Sequence, residues 1–296
     1  MAFMKQQPTI SYWLVGLPFS ALWASASVAS KIGLRSAQPF TISLTRFSIA
    51  ALIMIGVTHL VLRHPLPKKG QWKQLAVYGL LNIALYLGLF IVAIQEVSAG
   101  LGTLAVAINP VLITILAAVW RKEKISFLHF SALALGLVGV AICAYPLILG
   151  SHATIKGLLI LFISMMVYSA GTIYFQEKQW EGMHILTING WQTFFGAIFT
   201  IPFFAFNWER DANQFDINFW GGTLWLVVGV SIAAVQSWIY LLRNFGASST
   251  YWLFLSPIFG FTFSNLLMHE PLGMHTWIGT LLVLIGLYVH TRSVKK

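Results

Sequence analysis

Residues 100–142 read GLGTLAVAINPVLITILAAVWRKEKISFLHFSALALGLVGVAI, and residues 247–289 read ASSTYWLFLSPIFGFTFSNLLMHEPLGMHTWIGTLLVLIGLYV. The two stretches align without a gap at an offset of 147 residues. Each contains small residues, an apolar run, a proline, a second apolar run, a glutamate and a glycine-containing run. The prolines are Pro110 and Pro257, and the glutamates are Glu123 and Glu270. Chance similarity would not keep three residue types at one offset, so the chain contains an internal repeat.

The rest of the chain extends this repeat into two halves, residues 1–150 and 151–296. A membrane-spanning helix needs about 20 apolar residues. Candidate spans lie at residues 12–30, 40–62, 73–94, 99–120, 126–147, 154–175, 184–206, 218–241, 247–268 and 273–291. Five spans per half is an odd number, so the second half enters the membrane from the opposite side. We therefore predict an all-α integral membrane protein of ten helices, arranged as two inverted five-helix repeats around a central cavity.

The composition agrees with a membrane protein. Of the 296 residues 58% are hydrophobic and 9% are charged, whereas soluble domains carry about 25% charged residues. The formal net charge of +10 does not indicate nucleic-acid binding, because the basic residues lie between apolar runs and not on one face.

The basic residues instead predict an orientation, since cytoplasmic loops are rich in Lys and Arg. With a cytoplasmic N-terminus, 13 of the 18 Lys and Arg residues fall in cytoplasmic segments and 4 on the other side. The remaining one, Arg46, lies within the second span. An even number of spans and this charge split both place the two termini in the cytoplasm.

Several motifs resemble those of the EamA-type transporters of the drug/metabolite transporter superfamily. They are Leu22-Trp23-Ala24-Ser25 with Lys31, Thr45-Arg46-Phe47, Asn109-Pro110 with Glu123, and Ser256-Pro257 with Glu270. The resemblance implies the ten-helix inverted-repeat fold, with a cavity lined mainly by spans 1, 3, 4, 6, 8 and 9. It also implies transport, often export, of amino acids, related metabolites or drugs across a bacterial inner membrane. One departure is that Pro271 follows Glu270, whereas Lys124 follows Glu123.

Polar and aromatic side chains at membrane depth are the candidates for substrate binding. Asn109 and Ser256 each precede a proline, which frees a backbone carbonyl one turn earlier. These side chains either face a cavity or only satisfy the kink. Four further candidates have an apolar body with a polar edge or an amide, and packing between helices is the alternative for each. They are Trp23, Tyr86, Tyr168 and Gln236.

Charged residues near the span ends are candidates for gates or ion pairs. For Arg46, Glu96 is the first candidate partner and Glu270 the second, and the pair would lock the outer face. Alternatively, Arg46 and Lys31 attract a substrate carboxylate. Glu123 is either part of a loop charge cluster or one member of an inner gate.

No Asp, Glu or His of the sequence falls at the middle of a predicted span, which favours a neutral or zwitterionic substrate. We therefore predict a secondary transporter that exports a small metabolite, such as an amino acid, by alternating access. It would have no catalytic residues, cofactor or metal site, would contact membrane lipid, and would be a monomer or a weak dimer. A multidrug exporter is the first alternative. A membrane-embedded enzyme acting on lipid and a non-transporting receptor or scaffold are the others.

Overall fold

The computed structural model describes residues 9–122, 127–149, 153–180, 182–270 and 272–294, and these ranges contain helices and short connections but no strand. The α-helices are α1 (Thr9–Gly33), α2 (Pro39–Gly56), α3 (Lys69–Gly79), α4 (Tyr86–Glu96), α5 (Ala99–Val106), α6 (Asn109–Arg121), α7 (Phe127–Leu149), α8 (Ile155–Glu177), α9 (Ile185–Asn207), α10 (Ile217–Trp225), α11 (Val235–Phe245), α12 (Ser256–Met268) and α13 (Met274–Val294). The chain is π-helical at Val57–Val61, Leu80–Leu85 and Leu226–Ala234, and it forms 3₁₀ helix at Arg210–Ala212 and Gly246–Leu255.

Several of these helices are long and apolar enough to cross a bilayer. Within the described ranges six meet this condition, or seven if the pair α5 and α6, bent by 41°, forms one span. Large apolar side chains also cover the outside of the bundle, as expected for a surface that faces lipid. Examples are Leu14, Leu52, Val119, Leu159, Ile217 and Leu266. The fold is therefore an all-α integral membrane fold.

Length and composition alone support fewer spans than the ten expected from the sequence. The helix α9 is 23 residues long, but Asn189, Gln192 and Thr193 on its buried face lower its hydropathy. The helix α12 has only 13 residues, and the described apolar part of α13 is Met274–Gly286.

Two predicted spans are broken at their prolines. The run at 99–120 divides into α5 and α6, and the run at 247–268 divides into a 3₁₀ helix and α12. Pro110 and Pro257 lie in the first turn of α6 and α12, where a missing N–H costs nothing. Both helices have 13 residues and end at a left-handed residue, Lys122 with φ 57° and His269 with φ 56°. The two helices therefore begin and end at positions that differ by the same offset as the two prolines.

Packing connects the two halves of the chain. The helix α2 packs along α9, and α7 packs along α13. The first helix of the chain, α1, packs against α10, α11 and α12, whereas α8 packs against α4 and α6. Each of α1 and α8 thus makes its main contacts with helices of the other half.

Small residues set the distance between α7 and α13. A Cβ atom on Gly139 would lie 2.5 Å from the Gly279 carbonyl oxygen and 2.8 Å from Val283 Cγ2. A Cβ atom on Gly279 would lie 2.3 Å from Cys143 Sγ. The two backbones therefore touch, as in other membrane helix pairs with small residues at the crossing.

This contact predicts that Gly139→Ala lowers the melting temperature of the purified protein, because overpacking costs about 1–3 kcal/mol. The matched control is Gly221→Ala, because a Cβ atom there meets nothing within 4 Å and alanine favours a helix by about 0.5–1 kcal/mol. Thermal unfolding in detergent checks both variants. Equal melting temperatures for the two would contradict the contact.

Candidate functional site

Five aromatic side chains meet in the middle of the bundle. Phe19 and Trp23 come from α1, Tyr86 from α4, Tyr168 from α8 and Trp238 from α11, and all are buried. Their ring centroids lie 4.8 Å apart for Tyr86 and Tyr168, 5.3 Å for Phe19 and Trp238, and 6.0 Å for Trp23 and Tyr168. Three of the predicted substrate-binding residues are therefore in contact.

A small central cavity adjoins this aromatic cluster. Its volume is about 20 Å³, which is room for about one water molecule. Its polar lining is formed by Trp23 and Ser27 of α1, Arg46 of α2, Tyr86 of α4 and Thr103 of α5. The remaining lining residues are apolar: Ala26, Leu87, Phe90, Val106, Val230 and Val235. The wall therefore combines aromatic surface with hydroxyl groups and one cation.

The cation, Arg46, is 4% exposed. Its Nε donates a hydrogen bond of 2.7 Å to Ser231 Oγ, and its Cζ lies 5.3 Å from the Phe47 ring centroid. Its Nη2 is buried without a hydrogen-bond partner. Among the described residues no carboxylate lies within 4.0 Å of the guanidinium, so Arg46 is an unneutralised charge at the cavity wall.

Arg46 begins a chain of buried hydrogen bonds between helices. The Asn189 amide donates to the Ser231 carbonyl at 3.0 Å, and Asn189 Oδ1 accepts from Gln192 Nε2 at 3.1 Å. The Gln192 side chain in turn accepts from Asn82 Nδ2 at 3.2 Å. The chain Arg46–Ser231–Asn189–Gln192–Asn82 thus crosses the centre and connects four helical stretches.

The internal repeat relates the two ends of this hydrogen-bond chain to each other. Arg46 and Gln192 both lie seven residues after the start of their helices, α2 and α9. Ser231 and Asn82 both lie four residues before α11 and α4, within the π-helical stretches. A π-helical turn loosens the backbone ladder and is often found at functional sites. The pairs Arg46–Ser231 and Gln192–Asn82 are therefore counterparts, with a charge in only one of them.

The end of the bundle that holds Lys31 is closed by polar contacts, and we call it the Lys31 end. Glu270 accepts hydrogen bonds from the backbone N–H groups of Ala99 at 2.7 Å and Gly100 at 3.1 Å. It thereby caps the first turn of α5, where free N–H groups favour an anion. Lys31 lies within electrostatic range of Glu270.

A second contact at the Lys31 end joins Ser36, in the connection after α1, to Asp216 before α10. The Ser36 hydroxyl donates to Asp216 Oδ2 at 2.8 Å. The pKa of Asp216 is lowered mainly by the hydrogen bond from the Phe219 N–H and next by the one from the Ser36 hydroxyl. Both bonds stabilise the charged carboxylate.

Glu96 also lies at the Lys31 end, but its partner differs from the one that the sequence suggested. It forms an ion pair of 2.9 Å with Lys156 and accepts a hydrogen bond of 2.7 Å from Thr154. Since Lys156 lies in the first turn of α8 next to Glu96, this local partner replaces the expected pair with Arg46. Glu270 is likewise occupied by α5, so neither proposed acid partners Arg46.

At the opposite end, which we call the Arg121 end, Arg121 pairs with Glu177 at 2.6 Å. Glu123 lies outside the described residues, so its place in the loop charge cluster or in a gate stays a prediction.

Four of the six substrate-binding candidates lie outside the lining of the central cavity: Tyr168, Asn109, Gln236 and Ser256. Asn109 is fully buried, and its amide contacts Met165 Sδ at 3.3 Å and Ser169 Oγ at 3.5 Å on α8. Ser256 is buried with no partner for its hydroxyl, and Gln236 is half-buried with its carbonyl oxygen unpartnered. Their assignment to substrate binding stays a prediction.

Trp238 and Asn189 lie at the centre but were not predicted as site residues, although the sequence contains a signal for each. Trp238 belongs to the buried face of α11, together with Val235, Ile239 and Leu242, and this apolar i, i+3, i+4, i+7 spacing favours it over Gln236. Asn189 lies with Gln192 and Thr193 on the buried face of a predicted span, where polar side chains mark a site.

Comparison with known proteins identifies the chain. Residues 11–145 and, separately, residues 155–292 match the family described as "EamA-like transporter family". The chain belongs to the EamA-like transporter family. This confirms the resemblance drawn from the motifs, and it makes the protein a membrane transporter and not an enzyme. Among the described residues no group of three or more His, Cys, Asp or Glu could hold a metal ion.

Relatives extend over nearly the whole chain. An uncharacterised transporter of Archaeoglobus fulgidus is 25% identical over 95% of this chain and 99% of its own length. The transporter YvbV of Bacillus subtilis is 26% identical over 98% of this chain and 95% of its own. A protein of Streptantibioticus cattleyicolor, named a "probable terminal-alkyne amino-acid exporter", is 26% identical over 79% and 78%. A crystal structure with 15% identity superposes with a TM-score of 0.67 over 95% of this chain and 98% of that one.

The hydrogen-bond chain predicts that Asn189→Leu destabilises the protein. Leucine has a similar volume but leaves Ser231, Gln192 and Thr193 without their bonds to Asn189, and each unsatisfied buried group costs about 1–3 kcal/mol. The melting temperature in detergent should fall clearly. Asn207→Leu is the control, because Asn207 is exposed at the end of α9 and surface changes cost within about 0.5 kcal/mol. An unchanged melting temperature for Asn189→Leu would show that the chain of hydrogen bonds is not needed for stability.

Proposed function

We propose that this EamA-family protein exports a small neutral or zwitterionic metabolite, an amino acid or a related compound, across the bacterial inner membrane. The observation that carries the proposal is the central cavity. Its aromatic rings, hydroxyl groups and one cation come from the first half of the chain, and Val230 and Val235 of the second half complete its wall. An aromatic wall holds an apolar body, and a few polar groups orient it.

The proposed architecture is ten spans in two inverted repeats, residues 1–150 and 151–296, with both termini in the cytoplasm. Two observations support it. The helices α6 and α12 are related by the offset of the repeat and both end at a left-handed residue. The Lys and Arg residues fall mainly in the segments predicted to be cytoplasmic. On this orientation the Lys31 end faces outward and the Arg121 end faces the cytoplasm. The protein works as a monomer or a weak dimer in lipid.

Alternating access is the proposed mechanism, because a cavity that holds about one water molecule must open before a substrate enters. The contacts at the two ends differ in kind. Glu270 on the α5 backbone closes the outer end, and the pair of Arg121 and Glu177 closes the inner end. Breaking one set while keeping the other would expose the cavity to one side at a time.

The substrate class is supported by the charges of the described residues. The acids lie at helix ends or in connections, as Glu96, Glu177, Asp216 and Glu270 show, and none of them lines the cavity. A cationic substrate would therefore meet Arg46 without a compensating acid. The name of the Streptantibioticus relative as an amino-acid exporter supports the same class. The aromatic lining also suits a multidrug exporter, which is the second candidate.

Transport by purified protein in proteoliposomes tests the proposal. A panel of amino acids and cationic dyes, with and without a pH gradient, should give saturable movement of a neutral amino acid. Trp23→Ala should reduce the initial rate about tenfold, which corresponds to about 1.4 kcal/mol of lost binding. The control Trp220→Ala should leave the rate unchanged, because Trp220 is 40% exposed and lies outside the lining of the central cavity. Movement of dyes alone would support the multidrug exporter, and movement of neither class would refute the proposal.

The outer closure gives a separate prediction. Glu270→Ala leaves the Ala99 and Gly100 N–H groups without their acceptor, so the outer end should open more often. The parental protein for this test carries Ser27→Cys and Cys143→Ser, so that its one cysteine lies at position 27. In cells, an impermeant maleimide should label this cysteine several-fold faster when Glu270→Ala is added than in the parental protein. Glu270→Gln keeps one acceptor oxygen and should give a smaller increase. The control is Glu177→Ala at the inner end, which should not raise labelling from outside. If Glu270→Ala and Glu270→Gln are labelled at the same rate as Glu177→Ala, then Glu270 does not close the outer end.

A further inference from the structure

The guanidinium of Arg46 has the geometry of a ligand-binding group. One nitrogen, Nε, is fixed by Ser231 at 2.7 Å, and Ser231 is in turn held by Asn189 through its carbonyl oxygen. Another nitrogen, Nη2, has no partner although it is buried. The side chain forms part of the wall of the central cavity. The planar fork is therefore oriented by one bond and still has donors to offer.

We propose that Arg46 binds the carboxylate of the transported molecule, so that the substrate class is a small carboxylate with an apolar or aromatic body. This inference rests on the proposed transport function. It makes the carboxylate the recognised group, so the substrate class includes carboxylates without an ammonium group as well as amino acids. Arginine suits the role because its planar donors match the two oxygens of a carboxylate. The aromatic side chains beside it, Trp23, Tyr86 and Phe90, would hold the apolar body.

A purely structural role explains the arrangement less well. A buried charge is costly unless it is paired, and the acids that could pair with Arg46 are engaged elsewhere. Glu96 binds Lys156 and Thr154, and Glu270 binds the α5 backbone. An apolar side chain would fill the same place at lower cost. A substrate carboxylate supplies the missing negative charge at the moment when the cavity is occupied.

The same geometry discriminates between charged substrates. The described cavity lining contains no carboxylate, so a cationic amine would be repelled by Arg46 and would find no counter-charge. The ammonium group of an amino acid would face the hydroxyl groups of Ser27 and Thr103 and the aromatic rings, which tolerate a cation. Ser27 Oγ is buried without a partner. A carboxylate with or without an ammonium group is therefore accepted, and an amine alone is not.

Three probes with one benzyl group separate these properties. Phenylpyruvate has the carboxylate alone, L-phenylalanine has both charges, and phenethylamine has the amine alone. Equilibrium binding of the radiolabelled probes to the purified full chain should show binding of the first two and none of the third. Arg46→Gln should weaken the binding of both carboxylates by about tenfold to a hundredfold, whereas Arg46→Lys should lose less. The matched control Arg210→Gln removes an exposed arginine between α9 and α10 and should bind as the unaltered protein does.

A second variant covers the case in which Arg46→Gln does not fold. Ser27→Asp places a carboxylate in the cavity wall that would pair with Arg46. It should compete with the substrate and abolish binding of both carboxylates while the melting temperature stays equal or rises. If Arg46 had only a structural role, folded Arg46→Gln or Ser27→Asp protein would bind the two carboxylates with unchanged affinity. That result would overturn the inference.

The outcomes also separate this inference from the proposed function. Binding of phenethylamine as tight as that of phenylpyruvate would overturn the inference. Binding of none of the three probes, by a protein that moves another neutral solute in proteoliposomes, would overturn the inference and leave the transport function standing. Absence of transport for every solute class would remove the proposed function itself.

Discussion

The hydrogen bond from Arg46 to Ser231 is the interaction on which the centre of the protein depends. A guanidinium buried within a membrane-spanning bundle must find its partners inside the protein or on a bound ligand, because lipid offers none. Ser231 can meet this demand because it lies in a π-helical stretch, where its hydroxyl faces Arg46 and its carbonyl accepts from Asn189. The position of α2 relative to the stretch before α11 is therefore fixed by polar chemistry, within a core that is otherwise apolar.

Breaks in helices give this core its polar groups. In a regular membrane helix the backbone is fully bonded to itself and has nothing to offer a substrate. Here the helices are interrupted near the centre, by proline at Pro110 and Pro257 and by π-helical turns at Leu80–Leu85 and Leu226–Ala234. The interruptions occur at corresponding places in the two halves. The two halves thus have irregular backbone at corresponding places, and hydrogen bonds through Asn189 and Gln192 connect the two π-helical stretches.

The sequence predicted what depends on local pattern and missed what depends on tertiary contacts. The common offset of Pro110 and Pro257 anticipated helices that begin and end at matching residues, and hydropathy found the apolar runs. Trp23, Tyr86 and Tyr168 were predicted to bind substrate, which stays a prediction; their rings contact one another, and Trp23 and Tyr86 line the small central cavity. The partner of Glu96 could not be predicted, because the packing of α8 beside α4 decides that it is Lys156 and not Arg46. The π-helical turns were not predicted either; Asn82 and Ser231 within them hydrogen-bond to residues on other helices, and those contacts depend on packing.

The two halves differ chemically at the place where their geometry agrees most closely. Arg46 and Gln192 are counterparts, as are Ser231 and Asn82, and each pair forms the same kind of contact between a helix and a π-helical turn. Gln192 uses its amide oxygen on Asn82 and its amide nitrogen on Asn189, so its hydrogen-bonding groups are engaged within the protein. Arg46 uses one nitrogen and keeps another without a partner. In the proposed transport cycle a substrate must bind in one orientation. The unpartnered guanidinium of Arg46, which stands where the other half has an internally satisfied amide, would give the proposed site a single polar pole.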